Sequence, residues 1–427
     1  MKRLTKKSKS MSSFFAGIGG FDLGFEAAGF KTVLQCEING FCNDVLELRW
    51  PKVKRLEDIN LVEPSDIPES DIWCGGFPCQ DVSVARGSKG REGLAGKNSG
   101  LFYPFLDLIK AKLPDVLLLE NVVGLLSSHN GEDFRVILEE LNALGYSVAW
   151  RVMNSRYYGA PQSRPRVFIC ASLSNPEIPL MTLYENKSGQ WPKNAREGFL
   201  SGDECQFSGA KVPKVAYCLA ATSGRHTGTD WSRTYISYDD AVRRMTPTEC
   251  EGLQGFPTGW TDIARSRGSN HDSFETQRYH ALGNSVAVPV ISWIAKRLKK
   301  AMVQETRLIN GFPIDLALAA YPDFNSAKYR QLSISEIKGD ALSKIKWSSG
   351  GYARKGQSID ISVPAAPSKI IESPLIKVVE KTKPADHYYL SSNAAEGILR
   401  RVKSQNRTLF GPMSNALEVM VKAQNTP

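Results

Sequence analysis

Short apolar runs alternate with amphipathic stretches over residues 11–170, and this alternation limits the fold more than any other feature. Ser12–Ala16, Lys31–Cys36, Asp71–Cys74 and Val116–Glu120 read as strands, with Val148–Met153 and Arg166–Ala171 as later ones. Phe21–Ala28, a stretch ending at Leu48, Leu101–Lys112 and Phe134–Leu144 read as helices. Such β-α alternation predicts the α/β class, a mostly parallel sheet with helices on both faces. From 172 to 242 the pattern dissolves. Pro, Gly, Ser, Thr and Asn become frequent, with Trp191, Arg196, Arg225, Trp231 and Arg233 interspersed, which predicts a small irregular second domain. Helical patterning returns at Pro247–Leu253, where Thr246, Pro247 and Glu249 form a capping signature, and again from Val286 toward Lys300.

At 427 residues the chain exceeds one ordinary domain. Its net charge of +10 favours an anionic partner, with nucleic acid foremost. The eight cysteines show no repeated CxxC spacing, which predicts a reduced, intracellular protein without structural zinc. No apolar run approaches membrane-spanning length. Residues 1–10 read as a disordered basic arm. Residues 303–427 carry 17 basic and 11 acidic residues. Ser348-Ser349-Gly350-Gly351 and Pro364–Pro367 read as loops, and the role of this tail is not legible from its residues.

Five constellations carry chemistry. Phe14-Phe15-Ala16-Gly17-Ile18-Gly19-Gly20 is a glycine turn leaving a strand, where a nucleotide-like ligand can approach the bare backbone. It is not the dinucleotide pattern, because Asp22 falls where the third glycine would stand. Glu37 follows the second strand and can accept from ribose hydroxyls, and Asp58-Ile59 can meet an adenine edge. No phosphate-binding Gly-Lys-Ser/Thr occurs, so an adenosine ligand without a phosphate chain fits. S-adenosylmethionine is one, and its positive sulfonium tolerates carboxylates. Gly76-Phe77-Pro78-Cys79-Gln80 places a thiol after a proline at a strand exit. Glu120 ends another apolar strand. Parallel strand exits converge on one edge, so Cys79 and Glu120 are expected in one cleft. Gln162-Ser163-Arg164-Pro165-Arg166 sets two guanidinium forks at alternate positions, expected to point the same way. Arg244 to Pro257 and Gly283 to Pro289 complete the set, with Asn284-Ser285 read as a cap for the helix that follows.

In this order, FAGIGG, GGFPCQ, ENV, QSRPR, RMTPTE with LQGFP, and RYHALGNSVAVP resemble the DNA (cytosine-5)-methyltransferase family of the bacterial and phage restriction-modification type. The resemblance implies a Rossmann-like S-adenosylmethionine-dependent methyltransferase domain over 11–171 and a target-recognition domain over 172–242. It also implies a return segment over 243–302 that completes the catalytic domain, with 303–427 as an extension. For the cofactor it implies Phe15, Ala16, Gly17, Ile18, Gly19, Gly20, Glu37, Ile38, Asp58, Ile59, Gly76, Pro78, Asn284, Ser285 and Val286. For catalysis it implies Cys79 adding to C6 of a flipped cytosine, Glu120 acting at N3, and Arg164 and Arg166 orienting the base. Gln80, Ser83, Arg225, Arg233, Gln254 and Gly255 are expected to meet double-stranded DNA, and no metal is expected. A monomer on DNA, a separately acting restriction endonuclease and a cytoplasmic location complete the expectation. The competing readings are tRNA cytosine-5 methylation and catalytically silent DNA binding.

Overall fold

The computed structural model describes residues 9–78, 101–186, 197–224, 230–263, 271–304, 315, 321, 330–334 and 347–424. They fall in two compact units. One draws on Met1–Asn154, Pro165–Trp191 and Val290–Ile370, the other on Ser155–Arg164, Pro192–Pro289 and Ile371–Pro427.

The first unit holds β1 (Ser10–Phe14), α1 (Gly20–Glu26), β2 (Lys31–Cys36), α2 (Gly40–Arg49), β3 (Lys54–Leu56) and β4 (Ile72–Gly75). These are followed by α3 (Phe102–Lys112), β5 (Val116–Val122), α4 (Glu132–Ala143), β6 (Ser147–Asn154), β7 (Pro165–Ser172) and α5 (Ile178–Leu183). The order β3-β2-β1-β4-β5 is parallel throughout. Ile72, Trp73 and the run Val116–Leu119 are buried on both faces, which suits continuous apolar strands covered by helices. Phe14, Trp73 and Phe105 form the aromatic centre of this core, with Phe14 4.7 Å from Trp73 and 4.8 Å from Phe105. β7 inserts antiparallel between β5 and β6. Val290 onward packs here too. A Cβ on Gly24 of α1 would come within 2.5 Å of Ile291, and Lys299 Nζ donates to the Ala28 carbonyl at 2.7 Å.

Part of the tail extends this sheet. Gly350–Arg354 pairs antiparallel with β6, Gln357–Ile361 pairs with it in turn, and Arg330–Ser333 forms the edge. Trp347 sits edge-on to Phe134 at 5.4 Å and to Trp150 at 5.8 Å. The buried Arg151 guanidinium donates to the carbonyls of Pro364 and Ala366 at 3.1 and 2.7 Å. Gly350-Gly351, expected in a loop, therefore lies in a strand. The reason is steric. A Cβ on Gly351 would stand 2.1 Å from Trp150, and one on Gly350 2.4 Å from the Tyr184 hydroxyl. These glycines make room for rings.

Asp22, the residue that broke the dinucleotide pattern, is fully buried in the first turn of α1. Its Oδ1 accepts from Gln35 Nε2 at 3.1 Å, and its Oδ2 has no hydrogen-bond partner among the described residues. Burial pushes the carboxyl from its ordinary 3.8 up to about 6. Between these values the folded chain keeps a proton that the unfolded chain has lost. Stability contributed here is therefore full below about pH 4 and lost as pH rises to about 6. Asp22→Asn is expected to remove that slope and to add about 1–3 kcal/mol at neutral pH. Urea unfolding at a series of pH values measures it, and a variant less stable than the parent at pH 7 contradicts it.

The second unit contains a four-stranded antiparallel sheet, β8 (Gly202–Glu204), β9 (Lys211–Pro213), β10 (Tyr235–Ser237) and β11 (Val242–Arg244). After it come α6 (Pro247–Gln254), α7 (His271–Asn284) and the start of α8 (Val288–Ala301). The capping box at α6 is present: Thr246 Oγ1 accepts from Glu249 N at 3.2 Å, and Glu249 Oε2 from Thr246 N at 2.8 Å. Asn284 is the last residue of α7 rather than a cap of α8, because the chain leaves one helix there before entering the next. Two C-terminal helices, α9 (Ser392–Ser404) and α10 (Gly411–Gln424), close the unit. Their Ile398, Val402, Met413 and Leu417 share a core with Tyr235 and Val242 of the sheet. The tail read as one extension thus contributes to both units. Among the described residues no helix is long and apolar enough to cross a membrane.

Candidate active site

Strand register builds the site. Leu56, Cys36, Phe14, Gly75 and Leu119 lie side by side across the parallel strands. The residues that follow them, Glu57, Glu37, Phe15, Gly76 and Glu120, therefore line the carboxyl edge, where sheets of this kind bind ligands.

At β1 the chain turns sharply. Phe15 holds φ 53, a left-handed conformation that costs a side-chain-bearing residue about 1 kcal/mol or more, and its ring packs edge-on to Phe105. A Cβ on Gly19 would meet Trp50 at 2.3 Å, so only glycine fits there. Ala16 N bonds the Cys36 carbonyl and Gly19 N the Ala16 carbonyl, while Ile18 is buried beneath and Gly20 opens α1. Gly17 N donates to Glu37 Oε2 at 2.7 Å, and Asn39 N to Glu37 Oε1 at 2.8 Å. Burial pushes the Glu37 carboxyl above its usual range, and these two N–H bonds oppose it. Beside it Ile38 is 67% exposed, an uncovered apolar plate. Asp58 accepts from Asn60 N at 3.0 Å and caps the turn containing the buried Ile59. The loops 15–20, 37–39, 57–60 and 76–78 contain no lysine or arginine. This edge suits a nucleoside bearing positive charge and does not suit a phosphate chain.

At the exits of β4 and β5, a Cβ on Gly76 would lie 3.2 Å from Glu120 Oε2, so the glycine keeps space beside that carboxylate. Asn121 Nδ2 donates to the Phe77 carbonyl at 3.2 Å and pins the loop that leads through Pro78. Asn121 has no role evident from sequence beyond being a polar residue directly after a carboxylate at the end of an apolar run. Arg166 pairs with Val122 in the β5–β7 ladder, which puts it diagonal to Glu120 on the same face. Its Nε lies 3.1 Å from Glu120 Oε1.

The structure places the remaining expected residues as follows. Arg164 does not share this face, because β7 begins at Pro165 and strand alternation stops short of it. Its buried guanidinium donates to the carbonyls of Leu219, Gly283 and Ser285 at 2.8, 3.0 and 2.7 Å, so it braces the second unit. Gln254 is buried and bonds the Leu282 carbonyl at 2.7 Å, and Gln162 donates to its Oε1 at 2.9 Å, which leaves no face for DNA. Gly255 closes α6 at φ 81, where a Cβ would strike Pro289 at 2.5 Å. Ser285 and Val286 are buried in the second unit and Asn284 is exposed there. Arg233 donates to the Thr222 carbonyl at 2.8 Å. Cys79, Gln80, Ser83, Arg196 and Arg225 lie outside the described residues.

A parallel sheet whose carboxyl edge carries a glycine turn, a backbone-held glutamate and a second carboxylate at a strand end defines a Rossmann-like methyltransferase fold. The Entamoeba histolytica methyltransferase EhMeth shares the fold, with a TM-score of 0.50 at 17% identity over 70% of this chain and 100% of that one. The profile of the C-5 cytosine-specific DNA methylases matches residues 10–204 and 196–300. Type II methyltransferase M2.BsuMI of Bacillus subtilis (strain 168) is 31% identical over 366 residues, covering 77% of this chain and 88% of that protein. Type II methyltransferase M.HaeII of Haemophilus aegyptius is 35% identical over 317 residues, covering 69% and 94%. The chain belongs to the C-5 cytosine-specific DNA methylase family and is a DNA cytosine-5 methyltransferase.

Proposed function

We propose that the enzyme methylates cytosine within one short word of double-stranded DNA, using S-adenosylmethionine, as the modification half of a restriction-modification pair. The observation that carries the reading is Glu120 held 3.1 Å from Arg166 at the exit of β5, beside the loop that Asn121 pins and that runs on to Cys79. The cofactor residues on this chain are the 15–20 turn, Glu37 for the ribose hydroxyls, Ile38 and Ile59 for the base faces, Asp58 for its edge, and Gly76 and Pro78. S-adenosylmethionine, when bound, supplies an electrophilic methyl group.

The protein's part follows from the weakness of cytosine C5 as a nucleophile. The base leaves the stack at a cost of a few kcal/mol, because C6 is shielded inside a duplex. Cys79 Sγ, as thiolate, bonds to C6 and pushes electron density onto C5. Glu120, in its protonated form, donates a hydrogen bond to N3, where negative charge collects, and Arg166 fixes its orientation. After C5 gains its methyl, a water-derived base takes the C5 proton, the electron pair of that C–H bond restores the C5–C6 double bond, the C6–S bond breaks and Cys79 departs as thiolate. The second unit, through residues such as Arg233, selects the site.

Bisulfite sequencing of DNA from a host otherwise free of C5 methylation tests this. Protected cytosines at one position of one short word, on both strands when the word is palindromic, are expected. Fully converted DNA together with methylated tRNA overturns it.

A further inference from the structure

The family match ends at residue 300, yet α9 and α10 complete the core of the second unit. α9 buries Ala395, Ile398 and Val402 on one stripe. On the opposite side Arg400 and Lys403 are exposed, and Arg407 follows just past the helix end. Between Glu396 and Glu418 the chain carries Arg400, Arg401, Lys403 and Arg407 and no acidic residue. The helix dipole favours cations in the last turn, where Arg401 and Lys403 stand. Among the described residues Arg400 and Lys403 have no ion-pair partner. With exposed Glu396 as the helix's one acidic residue, a turn before Arg400, the second half of the helix carries net positive charge on a solvent face.

Arg407 links this helix end to the irregular basic-aromatic stretch. The Arg407 guanidinium lies 4.3 Å from the centre of the Trp231 ring. Phe199, Tyr217, Trp231 and Arg233 line one cleft together with Leu409 and Phe410 of the tail. Phe199 and Tyr217 stack at 4.5 Å. Aromatic side chains from both stretches therefore meet at this cleft, with Arg233 in its lining and Arg407 over Trp231, and the charge of these cations complements a polyphosphate backbone.

We propose that the tail is a second DNA-holding element, with Arg400, Lys403 and Arg407 taking duplex phosphates beside the recognition stretch. The inference rests on the reading of this unit as the one that grips DNA. It adds affinity without sequence information, since phosphate contacts position a protein and do not read bases.

The test is salt-dependent binding of the full chain to a random-sequence duplex by fluorescence anisotropy. Each phosphate contact contributes about 0.9 to the slope of log K against log salt. Arg400→Gln with Lys403→Gln, both off the packed stripe, is expected to lower the slope by about 1.8. Adding Arg407→Gln is expected to lower it by about 2.7 and to weaken binding near 0.2 M salt by roughly ten- to hundredfold. A double variant with the parent's slope overturns the proposal and leaves the methyltransferase reading standing. Weaker binding with an unchanged slope also overturns it, since that marks a packing role. A parent chain that does not bind duplex DNA defeats both.

Discussion

Cys79→Ala is expected to lower methyl transfer by roughly four orders of magnitude or more, measured with a labelled methyl donor in single turnover. The size follows from the substrate. Without addition at C6, C5 keeps its aromatic electron distribution and has too little density to take a methyl. Among the described residues, the thiols of β2 and β4 cannot substitute. Cys36 sits at the end of β2 with its thiol pushed to about 12 by burial and by the nearby Glu37 and Asp58. Cys74 is wholly buried in β4, where desolvation lifts its thiol far above the ordinary range. Neither forms a thiolate at neutral pH. Cys79→Ser should fail almost as completely, because a hydroxyl is far harder to ionise. Either variant turning over at a hundredth of the parent rate would contradict the assignment.

The second large effect concerns the tail. Ending the chain at Tyr389 removes Leu390, Ala395, Ile398, Val402, Phe410, Met413, Ala416, Leu417 and Met420 from the core that covers the sheet of the second unit. At about 1.5 kcal/mol or more for each large side chain, the loss is on the order of 10 kcal/mol, comparable with the whole stability of an ordinary domain. β8 to β11, three residues each, cannot hold together without that cover. The truncated chain is expected to lose DNA binding and methyl transfer more than a hundredfold and to become protease-sensitive within 197–244. Phe410→Ala should show the same trend in milder form, at about 3 kcal/mol, because its ring fills the space above Gly202. A truncated chain with parental turnover would show that the two helices are dispensable.

Much of the first unit was legible because most of its strands, such as β4 and β5, are apolar runs of four residues or more separated by helices with a polar face, and both periods survive in sequence. The site was legible for a related reason. Parallel strands in register put Glu37, Asp58, Gly76 and Glu120 on one edge whatever the details of packing. What escaped is equally physical. Three-residue strands such as Lys211–Pro213 are too short to show alternation. α7 mixes polar and apolar residues around its circumference, so its 14 residues carry no stripe. Gly350-Gly351 looked like a turn because the rings of Trp150 and Tyr184 that require glycine are far away in sequence. Arg164 looked like a base-orienting residue and Gln254 like a DNA contact because nothing local reveals that a guanidinium or amide is already spent on backbone carbonyls.

The most direct measurement uses target duplex in which the methylated cytosine is replaced by 5-fluorocytosine, incubated with methyl donor and analysed by denaturing mass spectrometry. Fluorine cannot leave as a proton does, so the complex should stall as a covalent protein–DNA species carrying one added methyl, with the cross-link mapped to the peptide containing Cys79. Unmodified protein alongside free duplex, or a cross-link on any other residue, would contradict the mechanism.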